Sequence, residues 1–325
     1  MKLLKLILCI SLTIGGTDVT EAKSRKEVKA SQTILLYPEG QNIDQGLPEA
    51  QGPLVSNGYT ADQEVKAENG NLTCVGDNAR IELFFPKKPN GQMVIVCPGG
   101  GYWKVASALE GLYVAEWMLE RDITVCVVNY RVAEGKWQIP LQDVQNAFRY
   151  CRAHAAEWGV KQIGVMGFSA GGHLAACASN LYKDEITRPD FSILIYPVIS
   201  FDRKFTKNGT RDQLIGKLSE WEGKASELDE LINLYSMENQ VTAQTPATFM
   251  TCSKDDKSVP VEHSLRYYER LVSHNVPAEL HIFPSGGHGW GFSYERFNPK
   301  GKDKFAYARK EFEASLQRWL SELRK

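Results

Sequence analysis

Gly167-Phe168-Ser169-Ala170-Gly171 sets a serine between two glycines where an apolar run, "IGVMGF", gives way to an alanine-rich one. The spacing G-x-S-x-G at a strand-to-helix junction is that of a strained turn that presents a hydroxyl for nucleophilic attack. The glycines have a steric reason: a sharp turn brings backbone segments close, and the serine's neighbours must lack Cβ. The helix that opens at the same point offers free N–H groups to a developing negative charge. A serine that only caps a buried helix is the competing structural role.

A serine hydroxyl attacks only when a base removes its proton. The chain has six histidines. His154 falls on a polar helix surface, His263 and His274 flank a helix of mixed composition, and His281 alternates within the strand-like "AELHIF". His173, four residues past the serine, points into the helix and is expected to support the turn by hydrogen bonding. His288, in "FPSGGHGWGF", follows the last expected strand and is freed by its flanking glycines to reach over the sheet, so it is the expected base.

A histidine base needs a carboxylate to fix its tautomer and stabilise its cation. "TCSKDDKSVP" supplies Asp255 and Asp256 after an expected strand. Asp256, three residues before Val259-Pro260 at the next helix start, is favoured; Asp255 is then solvated or braces the loop. The chain order Ser169, Asp256, His288 matches one topology that uses this trio. Oxyanion donors are expected from the amide of Ala170 and, in "CPGGGY", from Gly100 and Gly101. Losing one such donor typically lowers the rate about 100-fold or more. No Lys-Ser/Thr follows these glycines, which excludes a phosphate-binding P-loop.

These residues must be positioned by the elements around them. "ARIELFFP", "GQMVIVC", "ITVCVVNYR", "QIGVMGF", "FSILIYPV", "ATFMTC" and "PAELHIF" read as strands. "ALEGLYVAEWMLERD", "PLQDVQNAFRYCRAHAAEWG", "SAGGHLAACASNLY", "PVEHSLRYYERLVSHN" and "FAYARKEFEASLQRWLSELRK" read as helices. Wholly apolar strands alternating with amphipathic helices imply an α/β class, with a mainly parallel, doubly wound sheet covered on both faces. In such a sheet the loops at the strands' carboxyl ends carry the site. Residues 199–245 show no strand and are expected to form a small helical, cap-like insertion. Residues 23–70 are poor in periodicity and read as an extended arm packed on a catalytic domain of residues 71–325.

The chain's 325 residues, 43% hydrophobic with a formal net charge of −1, fit an ordinary globular protein. The balanced charge gives no footprint for nucleic acid or an anionic membrane surface. Residues 1–22 combine Lys2 and Lys5 with a short apolar core and small residues near Ala22, the form of a secretory signal. A secreted or periplasmic protein is expected, with no membrane span. Of the seven cysteines, Cys97, Cys126, Cys151, Cys177 and Cys252 lie in apolar runs and read as small core residues. No C-x-x-C pair supports a zinc or redox site. Neither metal nor organic cofactor is expected.

The segments "VIVCPGGGYWKVASALEG", "VVNYR", "IPLQDVQNAFRYCR", "IGVMGFSAGGHLAA", "FSILIYPVIS", "TPATFMTCSKDDKSVPVEHSLRYYERL" and "VPAELHIFPSGGHGWGF" resemble the α/β-hydrolase superfamily. More narrowly, the chain is similar to secreted bacterial esterases related to acetylxylan esterases and hormone-sensitive-lipase-like enzymes. The likeness spans Val94 to Phe292, and "CPGGG" carries Pro98 where relatives commonly show histidine. It implies Ser169 as nucleophile, Asp256 as acid and His288 as base, acting on an acetylated oligo- or polysaccharide such as xylan. Glu110, in "LEG" where relatives often show "HEG", is implied near the mouth of the site. Tyr102, Trp103 and Trp290 lie in or beside the site loops and are candidate substrate contacts, with buried packing the alternative for the two tryptophans, whereas Tyr130 and Arg131 are expected to be structural. A prolyl-oligopeptidase-type peptidase and a non-catalytic carbohydrate- or partner-binding domain are the rival readings.

Overall fold

The computed structural model describes residues 28–37, 65–68, 70–75, 79–204, 208–294 and 299–324. The expected signal at residues 1–22 lies outside them. Among the described residues there are ten strands: β1 (Gln32–Leu35), β2 (Val65–Lys66), β3 (Leu72–Cys74), β4 (Arg80–Phe84), β5 (Gln92–Cys97), β6 (Thr124–Asn129), β7 (Gln162–Phe168), β8 (Phe191–Ile195), β9 (Ala247–Ser253) and β10 (Ala278–Phe283). Eight form one sheet in the order β1-β4-β6-β5-β7-β8-β9-β10. β1 and β6 flank β4 antiparallel, and the pairings from β6 through β10 are parallel. This is the α/β-hydrolase architecture implied by the sequence.

β5 and β6 are buried along their whole length because helices cover both faces, which is why their sequences are apolar without alternation. Alternate residues nonetheless serve different cores. Ile95, Cys126, Val128 and Val165 face a core closed by α2 (Gln138–His154) and α3 (Ser169–Asn180), with α6 (Glu262–Ser273) contributing Tyr267 and Leu271. Val94, Val96, Val125 and Val127 face a second core with α1 (Tyr113–Leu119) and with Phe312, Leu316 and Trp319 of the closing helix, α7 (Arg309–Glu322).

The register gathers the site. Cys97 at the end of β5 pairs with Gly167 on β7, Phe168 with Ile195, Ile195 with Thr251, and Ser253 with Phe283. The carboxyl ends of five parallel strands therefore finish side by side. The loops that follow begin at Pro98, Ser169, Tyr196, Lys254 and Pro284.

Two features depart from the sequence reading. The arm carries β1, a four-residue edge strand that extends the sheet, and the boundary at residue 70 runs through the β2–β3 hairpin. The arm is also tied down at Tyr37, whose hydroxyl donates to Asp143 Oδ1 at 2.6 Å while the Arg131 guanidinium lies 4.3 Å over its ring. Arg131 itself grips Asp143 at 2.6 Å, a structural role as expected. The described residues of the 199–245 insertion hold α4 (Asn208–Ile215) and α5 (Ala225–Leu234) without a strand. The insertion joins the domain through Gly135 N–H, which donates to the Gln213 carbonyl, and is tied internally by Met237 N–H to the Ile199 carbonyl. Among the described residues no helix is long and apolar enough to cross a membrane.

Two buried histidines fasten the roots of this insertion. His173 Nε2 lies 2.8 Å from the Tyr235 carbonyl, an acceptor, so Nε2 carries the proton and Nδ1 accepts the Tyr102 hydroxyl at 2.8 Å. His263 Nδ1 accepts the N–H groups of Ile199 and Ser200 at 3.0 and 3.1 Å. Burial lowers both rings from the usual 6.5 to about 4. Between those values the unfolded chain binds protons that the folded chain refuses. Stability is therefore complete above about pH 6.5 and falls as the pH drops toward 4, by up to about 3 kcal/mol for each ring. Urea midpoints measured across that window should fall less steeply in His173→Gln than in the wild type, by about one proton's worth of slope.

Candidate active site

The serine turn is built from sterics. Ser169 sits at φ +54°, a left-handed conformation that a side chain adopts only under constraint. A Cβ on Gly167 would lie 2.0 Å from the Gly171 carbonyl, and one on Gly171 would lie 2.1 Å from the Cys97 carbonyl. Both glycines of the motif are thus demanded by close backbone approach. Ser169 begins α3, and Ala170 supplies the first amide beyond it.

His288 reaches the serine from the loop after β10. Its Nε2 lies 2.8 Å from Ser169 Oγ, and its Nδ1 lies 2.6 Å from Asp256 Oδ2. The Asp256 carboxylate is fully buried and its other oxygen, Oδ1, accepts the amides of Ser258 and Val259 at 2.8 and 2.9 Å. Those two donors fix the carboxylate, which in turn makes Nδ1 the protonated nitrogen and leaves Nε2 as the acceptor facing the hydroxyl. Asp255 braces the same loop, its Oδ1 accepting Gly287 N–H at 2.8 Å. The loop folds this way because Gly287, Gly289 and Gly291 all take positive φ.

The glycine loop after β5 lies directly over the serine. A Cβ on Gly99 would come within 3.0 Å of Ser169 Cβ, and one on Gly100 (φ +127°) within 2.1 Å of the Lys104 carbonyl. Gly99 N–H is already taken by Glu110 Oε2 at 2.7 Å. The next amides, of Gly100 and Gly101, have no acceptor among the described residues. Tyr130 supports the loop from below by donating to the Pro98 carbonyl at 2.7 Å.

Of the four side chains expected to meet substrate, only Trp103 is open to solvent, 52% exposed. Tyr102 is buried on His173, and Trp290 is stacked on Phe305 with ring centroids 3.8 Å apart. Glu110 is not at the mouth: it is 4% exposed, beneath the glycine loop. Sequence reasoning missed Tyr196, which follows β8 at the same sheet edge and whose ring lies 4.9 Å from the His288 imidazole. Its place directly after an apolar strand was the available signal. His263, expected on a helix flank, is buried beneath the insertion.

The family model for BD-FAE matches residues 81–271. The chain is 37% identical over 234 residues to an acetylxylan esterase of Xylanibacter ruminicola, covering 71% of this chain and 47% of that protein. It is 31% identical over 222 residues to endo-1,4-beta-xylanase B of Butyrivibrio fibrisolvens, covering 63% of this chain and 33% of that one. The chain thus spans less than half the length of either relative. Among solved structures, an acetyl ester-xyloside bifunctional hydrolase from Caldicellulosiruptor lactoaceticus superposes with a TM-score of 0.67 at 29% identity, covering 91% of this chain and 97% of that one.

Proposed function

The chain belongs to the BD-FAE family, and from that premise we propose that it is a secreted serine carboxylesterase that removes acetyl or another short acyl group from plant polysaccharide such as xylan, or from its oligomers. The observation that carries this reading is the unbroken relay from Asp256 through His288 to Ser169, with contacts of 2.6 and 2.8 Å. Similarity to an acetylxylan esterase and to an acetyl ester-xyloside hydrolase supports the choice of substrate class. The composition of residues 1–22 supports secretion.

In this mechanism Ser169 Oγ attacks the ester carbonyl while His288 Nε2 takes its proton. The carbonyl oxygen becomes an oxyanion, met by the amides of Ala170, Gly100 and Gly101. Collapse of the tetrahedral intermediate expels the sugar alkoxide, which takes the proton back from His288. Water then repeats the sequence on the acyl-serine and releases the acid. Ester cleavage by this route needs neither metal nor organic cofactor. Trp103, exposed two residues past Gly101 of the glycine loop, offers an aromatic face against which a sugar ring of the leaving group can stack.

The test pairs two substrates with one label. p-Nitrophenyl acetate should be hydrolysed, acetate should be released from acetylated xylo-oligosaccharides, and an organophosphate should label Ser169 with loss of both activities. Hydrolysis of the small ester alone would remove the polysaccharide from the assignment. Cleavage of proline-containing peptides instead would favour a peptidase, and an unlabelled Ser169 with no ester cleavage would favour a binding domain.

A further inference from the structure

Apart from the proton relay, one buried hydrogen-bond chain joins the two loops that meet over Ser169. It centres on Glu110. Oε2 of that residue accepts Gly99 N–H at 2.7 Å, on the loop that carries the expected oxyanion amides. Oε1 accepts the Tyr196 hydroxyl at 2.8 Å. The Tyr196 oxygen accepts Gly291 N–H at 3.2 Å, three residues beyond His288, and the Tyr196 ring packs against the imidazole itself. One carboxylate thus holds the glycine loop by one oxygen and the histidine loop, through a phenol, by the other.

The fold is locally distorted to place this group. Residues Ala108–Leu112 form a π-helical turn: Leu112 N–H bonds to Ser107 O and Tyr113 N–H to Ala108 O, each five residues back. Such wide turns are rare and recur at functional sites. The space is also reserved. A Cβ on Gly99 would lie 2.7 Å from Glu110 Oε2 and 2.6 Å from the Phe168 carbonyl, so a side chain there would displace the carboxylate. Burying a carboxylate is costly, and burial raises the pKa of Glu110 against the opposing pull of Tyr196, Gly99 and the nearby His288. An apolar residue would fill a core position at less cost. A two-armed acceptor is needed only where two donors on separate loops must be held together.

We propose that Glu110 is a positioning residue for acyl transfer, setting the oxyanion amides and the His288 imidazole in mutual register over Ser169 through Gly99 on one side and Tyr196 on the other. This rests on the esterase reading above. Glu110 touches no reacting atom in the scheme. Its effect falls on kcat, because a displacement of about 1 Å or a lost oxyanion donor each lowers turnover on the order of 100-fold.

The test compares wild type with Glu110→Gln, Tyr196→Phe and the double variant on p-nitrophenyl acetate. Rates are expressed per active site titrated with an organophosphate, so misfolded molecules are not counted. A glutamine keeps one acceptor oxygen and sets an NH2 against the other donor. Its kcat per site should fall about 100-fold with KM changed by less than about threefold, since substrate binding is not what the carboxylate serves. Tyr196→Phe should cost a smaller factor, and the double variant no more than Glu110→Gln alone, because both break one chain. Glu110→Gln or Tyr196→Phe with unchanged kcat per site would overturn the proposal, even with fewer sites or a lower melting temperature. So would losses that simply multiply in the double variant. A wild type that neither hydrolyses esters nor titrates would instead overturn the esterase reading.

Discussion

Ser169→Ala is expected to leave the fold intact and to lower kcat on p-nitrophenyl acetate by on the order of 10^5 to 10^6-fold, with the residue of activity coming from the oxyanion amides and binding alone. The removed oxygen is the one 2.8 Å from His288 Nε2, and the imidazole then has no hydroxyl to activate. The backbone gives a second, independent readout. Position 169 stands at φ +54° whichever side chain it bears, held there by the contacts of Gly167 and Gly171. Alanine inherits that strain, whereas glycine does not. Ser169→Gly should therefore be as inactive as Ser169→Ala but more stable by about 1 kcal/mol, because a Cβ in the left-handed region costs about that much. Thermal melts of the two variants measure the difference directly. The turn keeps a strained serine at a cost in stability, as sites built for chemistry commonly do. More than about 1% residual activity in both variants would remove Ser169 as the nucleophile.

What could be read in the sequence was what local sterics and burial force. β5, β6, β7 and β8 are mostly apolar runs because helices close on both faces, so their existence and mainly parallel pairing followed from their alternation with amphipathic helices. The glycines at 100, 167, 171 and 287 were legible for a similar reason: each stands where a Cβ would meet backbone or where φ is positive. The geometry that joins Ser169, Asp256 and His288 was anticipated because each lies just past a strand, and parallel register brings strand ends together.

The sequence was silent where a residue's environment is assembled from distant segments. Glu110 sits in a helix-like stretch, and only the resemblance placed it near the site, at the mouth rather than beneath the glycine loop. Its burial arises from Gly99 and from Tyr196, eleven and eighty-six positions away. His263 looked like a helix-flank residue, and only the return of Ile199 and Ser200 over the helix start makes it an acceptor for two amides. β1 escaped notice because an edge strand of four mostly exposed residues carries no apolar alternation. What holds it is partly remote, through Tyr37 and Asp143.

Asp256→Asn should lower kcat by on the order of 10^4-fold while KM stays within a few-fold, and the loss follows from which atom of the amide must face the histidine. Ser258 and Val259 direct two N–H donors at Oδ1, so the amide oxygen of an asparagine is fixed there. Its NH2 group then occupies the place of Oδ2, 2.6 Å from His288 Nδ1. An NH2 cannot accept, so Nδ1 must, and the ring proton moves to Nε2. That nitrogen now donates toward Ser169 Oγ and cannot take its proton. The variant is nearly isosteric, so its melting temperature should change little compared with its activity. The neighbouring carboxylate is the control. Asp255 uses one oxygen to accept Gly287 N–H, and an asparagine oxygen can do the same. Asp255→Asn should cost less than about tenfold, the mild penalty of a loop still braced by a neutral acceptor. Proton NMR supplies the check on mechanism: the far-downfield Nδ1–H resonance expected of the short His288–Asp256 bond should persist in Asp255→Asn and vanish in Asp256→Asn. If the two variants exchanged roles, with Asp255→Asn the inactive one, the partner of the base would be Asp255, and the contact to Asp256 would be structural only.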